Sequence, residues 1–416
     1  MPHVVRQVFS WRMLIVFLMG FSSGLPLLLI GSTLKAWMTD LTMDLTTIGF
    51  FSLVGLPYTL KFLWSPFLDR FTIPGIGRRR GWALTAQVAL IASLAALAFA
   101  DPRHATGMVG ALAMLIAFLS ASQDIVLDAY RREILSNEEL GLGSSLFVNG
   151  YRLAMLFAGA FALYLADAMP WRSVYLIMAA AMLVGIATLL FSPEPRVDLP
   201  PPQSMREAVI GPFVDFFQRS GAWIVLAFIL LYKVGDSMAS EMTMPLYLHL
   251  GYTKTEIGVV VKGIAFWATI GGGVFGGVLM LKLGIFRSLW IFGALQAVST
   301  LGFSLLAGVG VNLPVLGAVI GFENLTGGMG TAAYAAYMAS LTNKRFTATQ
   351  YALLSSLMGV PRVVMGAPTG WMVKQMGWPA FFVFCAAIAI PGLLLLLRIA
   401  PWHGRTTSES ASPKAD

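Results

Sequence analysis

Leu68-Asp69-Arg70-Phe71 and then, beyond residues 72–76, Gly77-Arg78-Arg79-Arg80 form a short knot of charge between two apolar runs, at about 45 to 68 and 81 to 100. Each run is close to the twenty or so apolar residues an α-helix needs to cross a bilayer. Charge this dense does not sit in hydrocarbon, so the stretch reads as a loop joining two membrane-spanning helices.

The same pattern recurs along the chain. Helices are expected at about 12 to 37, 45 to 68, 81 to 100, 107 to 130, 143 to 167, 173 to 191, 222 to 249, 255 to 281, 286 to 308, 313 to 341, 346 to 374 and 377 to 400. Twelve spans make an all-α membrane protein. Hydrophobic residues are 57% of the 416 and charged residues 12%, where a soluble domain carries about 25%; the mean hydropathy is +0.76.

Topology follows from the basic residues, because Lys and Arg resist translocation. With the N-terminus in the cytoplasm, eighteen Lys and Arg fall on the cytoplasmic side, Arg78, Arg79, Arg131 and Arg132 among them, and four on the other: Arg103, Arg172, Lys254 and Lys374. This bias predicts both termini in the cytoplasm. It also explains a pI near 9.6 without a nucleic-acid partner, leaving membrane lipid as the partner. Arg6 and Arg12 precede an apolar run too long for a signal peptide, which reads as an uncleaved first helix. The single Cys385 excludes a disulfide framework and a Cys-based metal site; no metal, cofactor or catalytic residue is expected.

Residues 192–221, with Pro193, Pro195, Pro200, Pro201 and Pro202, are the one long linker. They divide the chain into an N-terminal six-helix bundle at 1–191 and a C-terminal six-helix bundle at 222–400, with a cytoplasmic tail at 401–416. Thr46-Thr47-Ile48-Gly49 and Thr255-Glu256-Ile257-Gly258 open the second and eighth helices at an offset of 209, and the same offset carries Arg152 to within one residue of Arg362. Such a repeat suits two transporter halves that face each other.

Charges inside apolar spans are costly and mark pathways for polar solutes. Six basic residues lie there: Lys35, Lys61, Arg152, Lys233, Lys262 and Arg362. Lys35 and Lys61 sit near helix ends and read as snorkelling to the headgroups. Asp124 and Asp128, four apart on the fourth helix beside Gln123, share a face. Asp124 can pair with Arg152, as a proton or substrate switch or as a permanent ion pair, with Asp128 a second acid or a cap. Lys233 and Asp236 share a face of the seventh helix with Glu241 beyond, and Lys262 and Arg362 add positive charge suited to carboxylates or phosphates. Glu323, beside Asn324, is a proton-site candidate because burial favours the neutral acid; it can equally pair with Arg362. Trp37, Trp64, Trp371 and Trp378 read as interface anchors, while Tyr151, Tyr232, Trp267, Tyr334 and Tyr337 can stack on sugar rings or pack helices. Substrate contacts are thus expected at Gln123, Tyr151, Arg152, Lys233, Glu241, Lys262, Asn324 and Arg362, and proton coupling at Asp124, Asp128, Asp236 and Glu323. Gly271-Gly272-Gly273 and Gly276-Gly277 permit close helix approach.

The opening loop resembles the Gly-x-x-x-Asp-Arg-x-Gly-Arg-Arg loop of the major facilitator superfamily, with residues 72–76 widening the spacing. An acid here can meet a neighbouring helix N-terminus or an arginine when the inner face closes, so Asp69 and Arg70 are gate candidates. The segments Gly20-Phe21-Ser22-Ser23-Gly24-Leu25-Pro26, Gly49 to Arg70, Ala121-Ser122-Gln123-Asp124-Ile125-Val126, Leu231-Tyr232-Lys233-Val234-Gly235-Asp236 and Phe322-Glu323-Asn324 with Gly328-Met329-Gly330-Thr331 resemble the AmpG muropeptide permeases. That resemblance implies proton-driven symport of an anionic glycopeptide, N-acetylglucosamine linked to 1,6-anhydro-N-acetylmuramyl peptide, into a bacterium across its inner membrane by a monomer. Cell-wall recycling and the induction of beta-lactamase are the processes it would serve. Acetyl-coenzyme A transporters are similar in sequence and are the alternative. A drug antiporter fits less well, since the fifth helix lacks the antiport glycines and prolines. A glycan transferase also fits less well, since His3, His104, His249 and His403 are scattered.

Overall fold

The computed structural model describes residues 9–195, 200–219, 221–253, 256–257, 260, 263–366 and 368–400, and its side chains at all of these but 45, 46, 49, 52, 362 and 363. The chain runs back and forth as helices. They are α1 Trp11–Asp40, α2 (45–70, in short pieces), α3 Arg79–Phe99, α4 Thr106–Ile134, α5 Leu140–Ala168 and α6 Trp171–Phe191. Then come α7 Met205–Phe217, α8 Ala222–Leu250, α9 and α10 within Gly263–Val309, α11 Leu313–Ser340, α12 (347–376, in pieces) and α13 Trp378–Ile399. Eight helical stretches among the described residues are long and apolar enough to cross a membrane, and one of the eight, Gly263–Val309, is two helices end to end. Gly284, at φ 74° and ψ 169°, turns the chain between α9 and α10; a left-handed φ is open to glycine without a Cβ clash.

Side-chain chemistry sets where helices start and break. The Ser10 hydroxyl caps α1 by accepting from the Met13 amide, and Asn312 caps α11 by accepting from Val315. Pro57 and Pro66 fall within α2, and Gly359 and Pro361 within α12. A proline lacks the amide that continues the hydrogen-bond ladder, so both passes are segmented: α2 into Leu45–Phe50, Phe51–Gly55, Leu56–Leu60, Lys61–Leu63 and Ser65–Arg70, α12 into Thr347–Met358, Val360–Gly366 and Thr369–Met376.

Packing divides the molecule by height. At the end near the linker, one apolar cluster joins Met13, Tyr130 and Phe147 to Phe292, Met329 and Leu354, so both halves of the chain share it. Towards the far end there are two clusters: Leu25, Leu90, Ile116 and Tyr175 from the first half, Met238, Phe303, Ile320 and Phe382 from the second. The molecule is closed at the linker end and split at the far end. Phe191, Trp223, Trp267 and Leu397 stand exposed on its perimeter, as side chains facing lipid do.

Within the linker lies α7, with Ser204 accepting from the Glu207 amide as a cap. Two expectations need correction. Trp37 does not anchor at an interface; it is buried and stacks on Trp171, with ring centroids 6.1 Å apart. Arg79 and Arg131, assigned to short cytoplasmic loops, are fully buried, because Asp69 and Glu133 on neighbouring helices neutralise Arg79 and Asp128 on its own helix neutralises Arg131.

Candidate functional site: a central cavity above a closed floor

Asp69 ends α2 at the linker end and is fully buried. One carboxylate oxygen accepts from the Thr349 amide at 2.8 Å and its hydroxyl at 2.7 Å; the other accepts from the Ala348 amide at 3.2 Å and from Arg79 Nη2 at 2.8 Å. The two amides belong to the first turn of α12, where free N–H groups and the helix dipole favour an anion. Arg79 also meets Glu133 through Nε at 3.0 Å and Nη2 at 2.6 Å, and Arg78 reaches the same carboxylate at 3.4 Å. Arg70 is outside this network, with its guanidinium over the Phe71 ring at 5.0 Å. Asp69's arginine is therefore Arg79, because α3 turns it back over the end of α2.

Above this floor is a cavity of about 250 Å³. Its first-half wall includes Ser23, Tyr58, Lys61, Asp124, Asp128, Arg131 and Tyr151; its second-half wall includes Thr331, Met338, Tyr351 and Ser355. Asp124 accepts a short hydrogen bond from the Ser23 hydroxyl. Asp128 pairs with Arg131 at 3.1 Å, and Arg131 donates to the Tyr351 hydroxyl at 2.8 Å while lying between the Phe147 and Tyr351 rings. Arg131 thus ties α4 to α12.

The remaining candidates divide between cavity and packing. Arg152 points away from Asp124 and donates to the Thr269 carbonyl of α9 at 3.2 Å, so the expected Asp124–Arg152 pair does not form. The reason is register: Arg152 lies on the face of α5 turned to the second half. Gln123 donates to the Ser22 carbonyl at 3.1 Å and is fully buried against α1, so it fills a helix contact. Asn324 accepts from the Thr269 hydroxyl at 3.0 Å. Lys233 pairs with Asp236 at 3.0 Å and donates to Gln296 at 3.0 Å. Glu323 accepts from Ser299 at 2.5 Å. Glu241 is exposed on α8 beside Gly366. Lys262, Thr255 and Gly258 lie outside the described residues, and Arg362 is described only as part of the helix Val360–Gly366. Of the deep tyrosines, Tyr151 faces the cavity. Tyr334 stacks on Tyr232 at 5.3 Å and donates to the Ile229 carbonyl, which spends it on packing. Trp267 points outward.

Comparison with known proteins bears on this architecture. The sequence pattern described as the Major Facilitator Superfamily matches residues 13–365. The chain belongs to the major facilitator superfamily. As a superfamily member it is a multi-pass transporter, not an enzyme. It is 48% identical over 388 residues to an anhydromuropeptide permease of Escherichia coli, covering 93% of this chain and 79% of that one. The human organic anion transporter TETRAN superposes with a TM-score of 0.64 at 18% identity, covering 95% of this chain and 99% of that one. The proton:xylose symporter XylE superposes at 0.69 and 13%, covering 94% and 95%; at such identities these two matches speak for the fold alone.

Sequence reasoning missed several residues of this superfamily member's interior. Lys61 does not snorkel; it is 8% exposed and lines the cavity, because segmented α2 turns it inward. Arg131 follows Asp124 and Asp128 at the next helical step, a stripe on one face of α4 that was readable by spacing. Gln296 is carried onto Gln87 by the offset of 209 seen elsewhere. Both are buried and bond to the first helix of their half, Gln87 through the Ser22 hydroxyl at 2.8 Å and Gln296 through Lys233. Among the described residues no group of three or more His, Cys, Asp or Glu is placed to hold a metal. The arrangement offers a polar, charge-lined chamber, closed at one end by breakable ion pairs.

Proposed function

We propose that the protein imports anhydro-muropeptides across the bacterial inner membrane by proton-coupled alternating access. The observation that carries the substrate is the 48% identity over 93% of the chain to a protein named for that permease activity. The chamber is consistent with it, since tyrosines suit sugar rings and cations suit peptide carboxylates.

In this reading the residues 1–191 and 222–400 rock as two bundles about the linker 192–221, with both termini cytoplasmic and the protein working as a monomer. The state described has its floor closed at the linker end. Solute enters from the far side; rupture of the contacts from Asp69 to α12 and from Arg131 to Tyr351 would open the other face. Protons are carried by Asp124 and Asp128 in the chamber and by Asp236 and Glu323 in the second half, while Arg152, through the Thr269 carbonyl, adjusts how the halves meet and Lys233 and Asn324 set the polar interior of the second half.

The test is uptake into proteoliposomes of anhydro-muropeptide, acetyl-coenzyme A and simple sugars, with and without an imposed proton gradient. Gradient-dependent uptake of the muropeptide is expected. Uptake of acetyl-coenzyme A in its place would transfer the assignment to that solute. Asp124→Asn and Glu323→Gln are expected to insert normally and to lose concentrative uptake; full accumulation in both would remove the proton assignment.

A further inference from the structure

The ionisable cavity-wall groups other than tyrosine balance: Lys61 and Arg131 oppose Asp124 and Asp128. They are not equally committed. Arg131 is held by Asp128 at 3.1 Å and by Tyr351 at 2.8 Å, with an aromatic ring on either side. Lys61, 8% exposed, makes no ion pair within 4.0 Å among the described residues. It shares the wall with Asp124, which among the described residues accepts one hydrogen bond, from Ser23.

A carboxylate placed against Lys61, Asp124, Asp128 and Arg131, which are buried and already neutral in sum, would give this buried cluster a net negative charge, which is costly. One proton on an acid of the wall restores the balance. Asp128 is fixed by Arg131, so Asp124 is the acid able to take that proton without losing an ion pair. The groups that face Asp124 are Ser23 from α1, Tyr58 and Lys61 from α2, Tyr151 from α5 and Ser120 and Asp128 on its own helix.

We propose that Lys61 is the receptor for a carboxylate of the transported solute, and that protonation of Asp124 is what leaves its ammonium unbalanced for that contact. A proton arriving at Asp124 removes the negative charge that Lys61 balances, and the solute carboxylate takes its place. On release to the other side both leave together. Coupling is then a charge-matching requirement of a single lysine, with no moving part needed at the site. The proposal deepens the import reading and rests on it.

The experiment uses purified full-length protein and an anhydro-muropeptide in two forms, one with free carboxylates and one with them converted to amides. For the wild type, affinity for the free-carboxylate form is expected to weaken about tenfold per pH unit above the pH at which Asp124 loses its proton, with the amide form bound independently of pH. In Asp124→Asn the pH dependence is expected to vanish while carboxylate preference stays. In Lys61→Gln the preference is expected to vanish, and Lys61→Arg is expected to restore it. A Lys61→Gln protein that keeps wild-type preference, with an unchanged thermal melt, overturns the proposal; so does a pH dependence that survives Asp124→Asn. Failure of the wild type to bind either form would instead sink the import reading.

Discussion

Single residues here carry charge that their helices alone would not tolerate. Asp69 satisfies two amides, a hydroxyl and a guanidinium at once. Asp69→Asn leaves Arg79 leaning on Glu133 alone, and removing one partner of a buried pair typically costs about 3–5 kcal/mol. The closed floor should therefore loosen: a cysteine placed at Ser355 is expected to become reachable from the linker side, and an unchanged labelling pattern would argue against the gate. Small residues are as exacting. A methyl at Gly272 would land on the backbone of Leu325, whereas at Gly271 it would meet nothing within 4 Å. Gly272→Ala should lower stability by about 1–3 kcal/mol, as overpacking does, and Gly271→Ala should leave the melting temperature almost unchanged. Much of this was legible, Asp124, Lys233, Asp236 and Glu323 included, because a charge in an apolar run stands out. Arg131 was readable by its spacing from Asp124 and Asp128 but Lys61 was not, since depth along a segmented helix is decided by neighbours.

Among the elements, α7 is the one that hydropathy did not announce. Its Asp215 accepts from Gln350 at 2.8 Å, from Asn343 at 2.7 Å and from Arg219, while Glu207 meets Arg345 at 2.5 Å. Gln350 and Asn343 flank the turn into α12 that also receives Asp69, so the linker helix braces the floor from outside. Partial burial works to raise the Asp215 pKa, but the hydrogen bonds from Gln350 and Asn343 and the charge of Arg219 outweigh it and hold the carboxyl below the usual range. With a depressed folded-state pKa, this contribution is fully present above the unfolded value and is lost as pH falls through the folded one. Hydrogen exchange over residues 205–217 should then stay slow at mildly acidic pH and accelerate only in strong acid. Asp215→Ala should make it several-fold faster at neutral pH; equal protection in that variant would mean the brace is idle. A proline-rich linker predicted none of this, because a short helix held by partners far along the chain leaves little hydropathy signal.

At the scale of the whole molecule, the shared apolar cluster at one end and the paired clusters at the other are one pose of the alternating-access cycle proposed above. Cross-linking can hold it there. The native Cys385 is fully buried, so a protein with Asp69→Cys and Thr349→Cys should give a clean disulfide across the floor. Transport is expected to stop on oxidation and return with reductant to the level of the unoxidised double variant, while transport that continues when oxidised would mean the floor does not open there. The sequence by itself determined a membrane protein of repeated apolar helices, its one long linker, the loop that carries Asp69 and Arg79, and a surplus of buried charge, because hydropathy and the cost of charge in lipid are local properties of a run of residues. Only the tertiary structure decided which charges meet: Asp69 with the start of α12, Asp128 with Arg131, Lys61 with the cavity in place of the headgroups, and Arg152 with α9 in place of Asp124. Pairing depends on how helices far apart in the chain are rotated and set in height against one another, and no spacing within one helix contains that.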